Sequence, residues 1–190
     1  MEDYKLYLHG LKSKGLSERK ESLEKLFELL EIDSSNIPDW FMESLLSDPA
    51  STRFHGDYPG GLLEHSANVA LTLMYFEHNG ITNFHKKRSP VVVGLLHDLC
   101  KVGTYISEQG LFSKNTEELW KGHATKTLCL LSTDMFGGFK LTEQEALCIR
   151  YHMGAYEIDE WDAFAQAIHK YPEVLFTHTA DMYATHVLGV

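Results

Sequence analysis

The sequence predicts an all-α fold, a compact bundle of seven or eight helices with one small β-hairpin near residues 104–113. Three observations carry that expectation. Apolar residues recur at helical spacing in segment after segment. Helix-start and helix-stop residues bracket those segments. Only residues 104–120 have the turn-centred pattern of paired strands. A chain of 190 residues is read as one domain, 1–190, long enough to bury a full core, with N-terminal helices over 1–48 and the site-bearing region over 50–185.

Residues 1–16 are mixed and Lys-rich and predict no definite element. From Ser17, an N-cap residue, Leu23, Leu26, Phe27 and Leu30 follow the i, i+3, i+4, i+7 pattern of one helix face. Pro38 suits the first position of a short helix carrying Trp40, Phe41, Leu45 and Leu46, which Asp48-Pro49 ends. A turn-rich stretch, Arg53 to Gly61, leads into a long helix over about 61–79. There Leu62, Val69, Leu73 and Phe76 share a side with His65, and Gly80 is the stop. Ser89-Pro90 starts the next helix, which ends in His97-Asp98. The Val91–Val93 run alone would also fit a strand, but its flanks are helix signals and Gly103 can close it.

Tyr105, Ile106, Leu111 and Phe112 are read as two short strands around Gln109-Gly110. A helix over about 122–136 holds His123 in its first turn and breaks at Gly137-Gly138. Thr142 and Glu145 form a capping box that opens a helix with His152 near its end. Asp159 caps a helix with Trp161, Phe164, Ala165 and Ile168 on one face. Pro172 starts the last, with His178 and Asp181 one turn apart.

Composition narrows the function classes. The balance of 44% hydrophobic and 23% charged residues is that of a globular protein, and no apolar run approaches the ~20 residues of a membrane span. The N-terminus lacks the pattern of a signal peptide, and Cys100, Cys129 and Cys148 are isolated, which fits a reducing, cytoplasmic setting rather than a disulfide framework. A net charge of -10 argues against a broad nucleic-acid-binding face, so long nucleic acid is not the expected partner.

His97-Asp98 closes an apolar segment, and burying a carboxylate is costly unless it is paired or metal-bound. The series His65, His97-Asp98, His123, His152, Asp181 has members 25 to 32 residues apart, about one helix and one connection each time. In a bundle, successive helices can bring such residues to a common centre. Imidazoles and carboxylates suit iron, manganese, zinc or cobalt. Six ligands exceed one tetrahedral zinc with an open position but suit two metals, with Asp98 as the bridge. Spacing alone leaves ordinary hydrogen-bonded core histidines as the competing reading. His9, His78, His85, His169 and His186 are set aside as exposed or terminal.

The segments Gly60-Gly61-Leu62-Leu63-Glu64-His65, Leu95-Leu96-His97-Asp98-Leu99-Cys100-Lys101, Gly122-His123, Tyr151-His152-Met153-Gly154 and Thr179-Ala180-Asp181 together resemble the HD-domain metal-dependent phosphohydrolase superfamily, over residues 50 to 185. The ordered set is specific, whereas any one fragment is weak. The resemblance implies an all-helical HD-type domain and two divalent metal ions (Mn, Fe, Co, Zn or Ni). His65, His97, Asp98 and Asp181 would hold the first metal. His123 and His152 would add the second, bridged by Asp98. Mononuclear members lack these two middle histidines. Lys101 matches the family's HDxxK lysine, which would steady the scissile phosphate or leaving group, so Asp98 and Lys101 are the expected catalytic pair. Cys100 departs from the family pattern, standing where glycine is usual, and the GYP signature of one cyclic-dinucleotide subfamily is absent.

Arg53 and His55, just before the first ligand helix, are candidate substrate-binding residues, as are Lys101 and His178. His178 also suits support of a ligand. Lys121, Lys126 and Arg150 flank ligand positions and offer a local basic patch. Trp40, Phe41, Trp120, Trp161 and Phe164 are read as core. The expected function is hydrolysis of a phosphate ester in a small nucleotide or short oligonucleotide by a metal-activated hydroxide. The alternatives are a di-iron oxygenase, on the same ligand set, and a non-catalytic nucleotide-binding domain. No partner at a membrane is expected, and the first 45 residues are free to cover the core or form a homo-oligomer contact.

Overall fold

The computed structural model describes residues 2–108, 111–114, 122–154 and 161–190. Within them the fold is all-α with one small hairpin. Helices α1 (Glu2–Leu11) and α2 (Leu16–Leu30) pack as an antiparallel pair, followed by α3 (Asp39–Ser47) and the long α4 (Gly61–His78). Then come α5 (Ser89–Leu96), strands β1 (Tyr105–Glu108) and β2 (Leu111–Lys114), and helices α6 (His123–Leu131), α7 (Glu143–Arg150), α8 (Trp161–Lys170) and α9 (Glu173–Tyr183). The strands pair antiparallel, Tyr105 opposite Lys114. The Gln109-Gly110 turn, Trp120, Lys121 and Asp159 lie outside the described residues.

α5 is the axis of the bundle. All eight of its residues are buried, as expected of a helix that is apolar all round. It lies against α4 backbone to backbone: a Cβ on Gly94 would come within 2.3 Å of Ala70 Cα. That contact fixes the end of α5 beside the first turns of α4, and so sets His97 against His65. Leu23, Leu26, Phe27 and Leu30 of α2 are buried, as their spacing predicts. They share one apolar cluster with Leu8 and Leu11 of α1, Leu62, Leu73 and Met74 of α4, and Val91 to Val93.

Helix ends follow local chemistry, with some corrections to the sequence expectation. α1 fills a stretch from which no element was expected, its Leu8 and Leu11 fully buried. Gly15, not Ser17, caps α2. Pro38 precedes α3 as its cap, and Ser89 is itself helical, its hydroxyl donating to buried Glu145 at 2.8 Å instead of capping α5. α6 stops at Leu131 rather than near 136, because Ser132 and Thr133 turn their hydroxyls back onto the carbonyls of Cys129 and Leu130. The capping box at Thr142 and Glu145 has both of its hydrogen bonds, 3.1 and 2.7 Å. Phe41 and Phe164 are core as expected, but Trp40 and Trp161 are each 57% exposed. Ala165 is exposed too: α8 buries Phe164 and Ala167 instead.

Asp48 ties the chain before α4 to the loop after α5. Its carboxylate accepts from Gly103 N–H at 2.7 Å and its carbonyl from Leu62 N–H at 3.1 Å. Burial pushes its pKa up to about 6, against the lowering effect of the Gly103 bond. A carboxyl raised on folding favours the native state below about pH 4 and loses that contribution as pH rises through about 6, so the ionised form is a liability at neutral pH. Asp48→Asn keeps an acceptor for Gly103. It is expected to raise stability by about 2 kcal/mol at pH 7.5 and by little at pH 4, read from thermal unfolding at the two pH values.

Candidate metal centre

The six residues of the ordered series come from five helices or their ends. His65 lies in the second turn of α4, His97 caps the C-terminus of α5, and Asp98 follows it. His123 opens α6, His152 lies two residues beyond α7, and Asp181 is in the last turn of α9. Five of them are buried: His65, His97 and His152 at 0%, Asp98 at 2% and Asp181 at 4% exposure. His123 alone reaches the surface, its side chain 36% exposed.

Their ligating atoms converge. His65 Nε2 lies 3.1 Å from Asp181 Oδ1, 3.3 Å from His97 Nε2 and 3.7 Å from Asp98 Oδ2. His97 Nε2 is 3.5 Å from Asp98 Oδ2 and 3.9 Å from Asp181 Oδ1. On the other side of the same carboxylate, Asp98 Oδ1 faces His152 Nε2 at 3.5 Å and His123 Nε2 at 4.0 Å. Asp98 thus has one oxygen toward each half of the cluster. The sets His65/His97/Asp98, His97/His152/Asp181 and Asp98/Cys100/His123 could each hold a metal ion.

Three backbone carbonyls determine which way the imidazoles offer their lone pairs. His65 Nδ1 donates to Val190 O at 2.9 Å, His97 Nδ1 to Gly94 O at 2.9 Å, and His152 Nδ1 to Ile149 O at 2.7 Å. Each bond assigns the hydrogen to Nδ1 and leaves Nε2 an acceptor pointing inward. Acceptors therefore face acceptors across 3.1–3.5 Å, where only a proton or a metal cation can reconcile them. Asp98 Oδ1 and His152 Nε2 are buried without a hydrogen-bond partner, which leaves both acceptors able to take a bound ion.

The electrostatics favour ionised carboxylates and a neutral His97. Burial alone would raise Asp98, but Lys101, His97 and His152 outweigh it and hold the carboxyl well below its usual range. Asp181 is likewise lowered, burial being overcome by the histidines around it, His65 first. Burial pushes His97 down to about 4 despite the adjacent carboxylates. His152 is also penalised by burial, yet Asp98 beside it brings a net rise. A proton therefore suits the gap between His152 and Asp98 when no cation fills it, and metal binding there displaces that proton.

The remaining predicted residues divide. Lys101 is 8% exposed, and its Nζ pairs with Asp98 Oδ2 at 2.7 Å. His55 lies with its ring centroid 5.1 Å from that of His65, and burial lowers its pKa to about 4, with Lys101 and His65 adding to the effect. Both lie on a cavity of about 390 Å³ that Asp98, His123, Asp181, Met153 and Met182 also line. Arg53 is exposed and not among the lining residues. His178 is not among them either: its Nδ1 donates to His152 O at 2.7 Å, so it steadies a ligand-bearing turn. Gly154 leaves room for that ring, since a Cβ there would meet it at 2.8 Å. Lys126 donates to Thr104 Oγ1 at 3.3 Å, and the Arg150 guanidinium lies over the Tyr151 ring. His186, set aside from sequence as a surface residue, is exposed but stands on the cavity wall.

Sequence reasoning missed the supports. Thr127 Oγ1 donates to His97 O at 3.0 Å and accepts from Cys100 N–H at 3.1 Å, pinning α6 to the His97-Asp98 turn. No local pattern marks it, nor the Val190 carbonyl, 125 residues from His65.

No family model, curated protein or solved structure matches this chain.

A cation that binds only the folded cluster must stabilise it. Zinc or cobalt at a hundredfold excess over its dissociation constant is expected to add about 2.7 kcal/mol, a melting-temperature rise of roughly 5–10 °C. Differential scanning fluorimetry with metal and then with chelator checks this. Asp181→Asn is expected to lose most of the rise.

Proposed function

We propose that the chain is a metal-dependent phosphohydrolase of the HD type, acting on a phosphate ester of a small nucleotide or short oligonucleotide. One observation carries the reading: a buried carboxylate, Asp98, stands between two groups of inward-facing imidazoles and is paired with a buried lysine at the wall of a cavity. The ordered resemblance of the motif-bearing segments supports the same reading.

His65, His97, Asp98 and Asp181 would hold one cation, and His123 and His152, with Asp98, a second. Cations bound there supply charge stabilisation for a phosphoryl group and a hydroxide at neutral pH. The chain's own residues do the rest. Asp98, kept ionised by Lys101, shares its charge between the two halves. Lys101, its pKa raised by the Asp98 carboxylate against the effect of burial, stays cationic beside the cavity and can hydrogen-bond a phosphate oxygen. His55, uncharged at neutral pH, offers a neutral hydrogen bond instead of a second positive charge. Met153 and Met182 give the cavity an apolar wall against which the non-phosphate part of a substrate can pack.

The test is a panel of nucleoside monophosphates and short phosphodiesters, assayed for phosphate or alcohol release with manganese, cobalt, zinc and iron. Asp98→Ala is expected to lower kcat/KM by roughly a thousandfold or more, and Lys101→Met by about a hundredfold, mainly through kcat. Full turnover and full metal content in Asp98→Ala would refute the proposal. Substrate-dependent oxygen uptake by the iron form without phosphate release would replace it with oxygenase chemistry.

A further inference from the structure

We propose that Cys100 is a ligand of the second metal position, giving that half of the centre a thiolate beside His123 and Asp98. The inference rests on the metal-centre reading above and goes beyond it, since the ordered histidine-aspartate series does not include a sulfur donor.

Four observations meet at this residue. Cys100 Sγ, a ring nitrogen of His123 and a carboxylate oxygen of Asp98 all lie within 4.8 Å of one another, close enough for a single cation to draw them together. Asp98 is 2% exposed and its Oδ1 has no hydrogen-bond partner, so an acceptor is already aimed at this half of the centre. The Cys100 backbone is fixed at both polar groups: its N–H donates to Thr127 Oγ1 at 3.1 Å, and its carbonyl accepts from Thr104 Oγ1 at 2.9 Å. The sulfur is therefore carried on a rigid turn, the short helical segment Leu99–Lys101, and is 2% exposed. His123, by contrast, is the most exposed member of the cluster. Cys100 places a buried, pre-positioned donor beside it.

The chemistry is balanced by one proton. Without metal, Cys100 is a buried thiol that carries its proton. As the sulfur–metal bond forms, the proton leaves to water, because a coordinating thiol is deprotonated outright. A thiolate donor favours zinc, iron or cobalt over manganese or magnesium at this position. Without that ligand the second position would prefer harder ions.

Cobalt(II) titration of the full-length protein tests this directly, because a sulfur-to-cobalt bond gives a charge-transfer band in the near ultraviolet that nitrogen and oxygen ligands do not. Wild type is expected to develop the band as the second equivalent binds. Cys100→Ala is expected to lose it, with the affinity of the second equivalent falling about tenfold or more. Cys129→Ser and Cys148→Ser should keep the band, and circular dichroism verifies that each variant is folded. If Cys100→Ala does not fold, X-ray absorption of the zinc-loaded wild type serves in its place, a zinc–sulfur shell near ~2.3 Å being expected. Two bound cobalt ions with no charge-transfer band, a band surviving in folded Cys100→Ala, or no zinc–sulfur shell would overturn the thiolate ligand and leave the metal centre standing. Failure to bind any cobalt would overturn both.

Discussion

The protein is organised around a buried meeting of lone pairs. His65, His97 and His152 each give their Nδ1 hydrogen to a main-chain carbonyl, of Val190, Gly94 and Ile149, so in the neutral rings the Nε2 atoms are acceptors. They point at each other and at two carboxylates across gaps of 3.1 to 3.9 Å. In an interior of low dielectric such an arrangement is unfavourable without positive charge in its midst. Lys101 supplies one such charge, to Asp98. The remaining acceptors call for protons or metal ions, and this requirement is the physical content of the functional reading.

The helices around the cluster serve to hold that arrangement. α5 must be apolar on all sides because it runs through the middle of the bundle to place His97 and Asp98 at its end. Gly94 must lack a side chain because α4 passes close enough to put His65 Nε2 within 3.3 Å of His97 Nε2. Thr127 joins α6 to the same turn, and His178 joins α9 to the turn bearing His152. Candidate ligands on separate helices are thus cross-braced through their main-chain carbonyls, which leaves their side chains to the cluster. That bracing is what keeps a metal-ligand set from relaxing into ordinary hydrogen bonds.

Much of this was legible from sequence where the signal is local or periodic. The apolar face of α2, the capping box at Thr142 and the hairpin strands are each set by residues within a few positions of one another. The convergence of His65, His97, Asp98, His123, His152 and Asp181 was legible because they recur at about one helix plus one connection. What escaped is what tertiary packing decides. Trp40 and Trp161 sit on helices that bury other faces. α1 has too weak a pattern to be recognised until α2 and α4 pack against it. Arg53 lies near His55 in sequence, yet the loop turns it outward. There Ser51 Oγ accepts from the amides of Phe54 and His55 and fixes the bend. The nearness of Cys100 to His123 depends on how α6 lies against the turn after Asp98, which no spacing rule conveys.

If Asp98 separates two cation positions, as proposed, the number of metals bound per chain reveals it. Protein purified without chelators, reconstituted with zinc or cobalt and freed of excess, would be measured by elemental analysis beside His123→Ala. Two metals per chain are expected in the wild type and one in the variant, because His123 would serve only the second position. A single metal unaffected by the substitution would contradict the bridging role of Asp98. No retained metal would mean that protons alone reconcile the buried lone pairs.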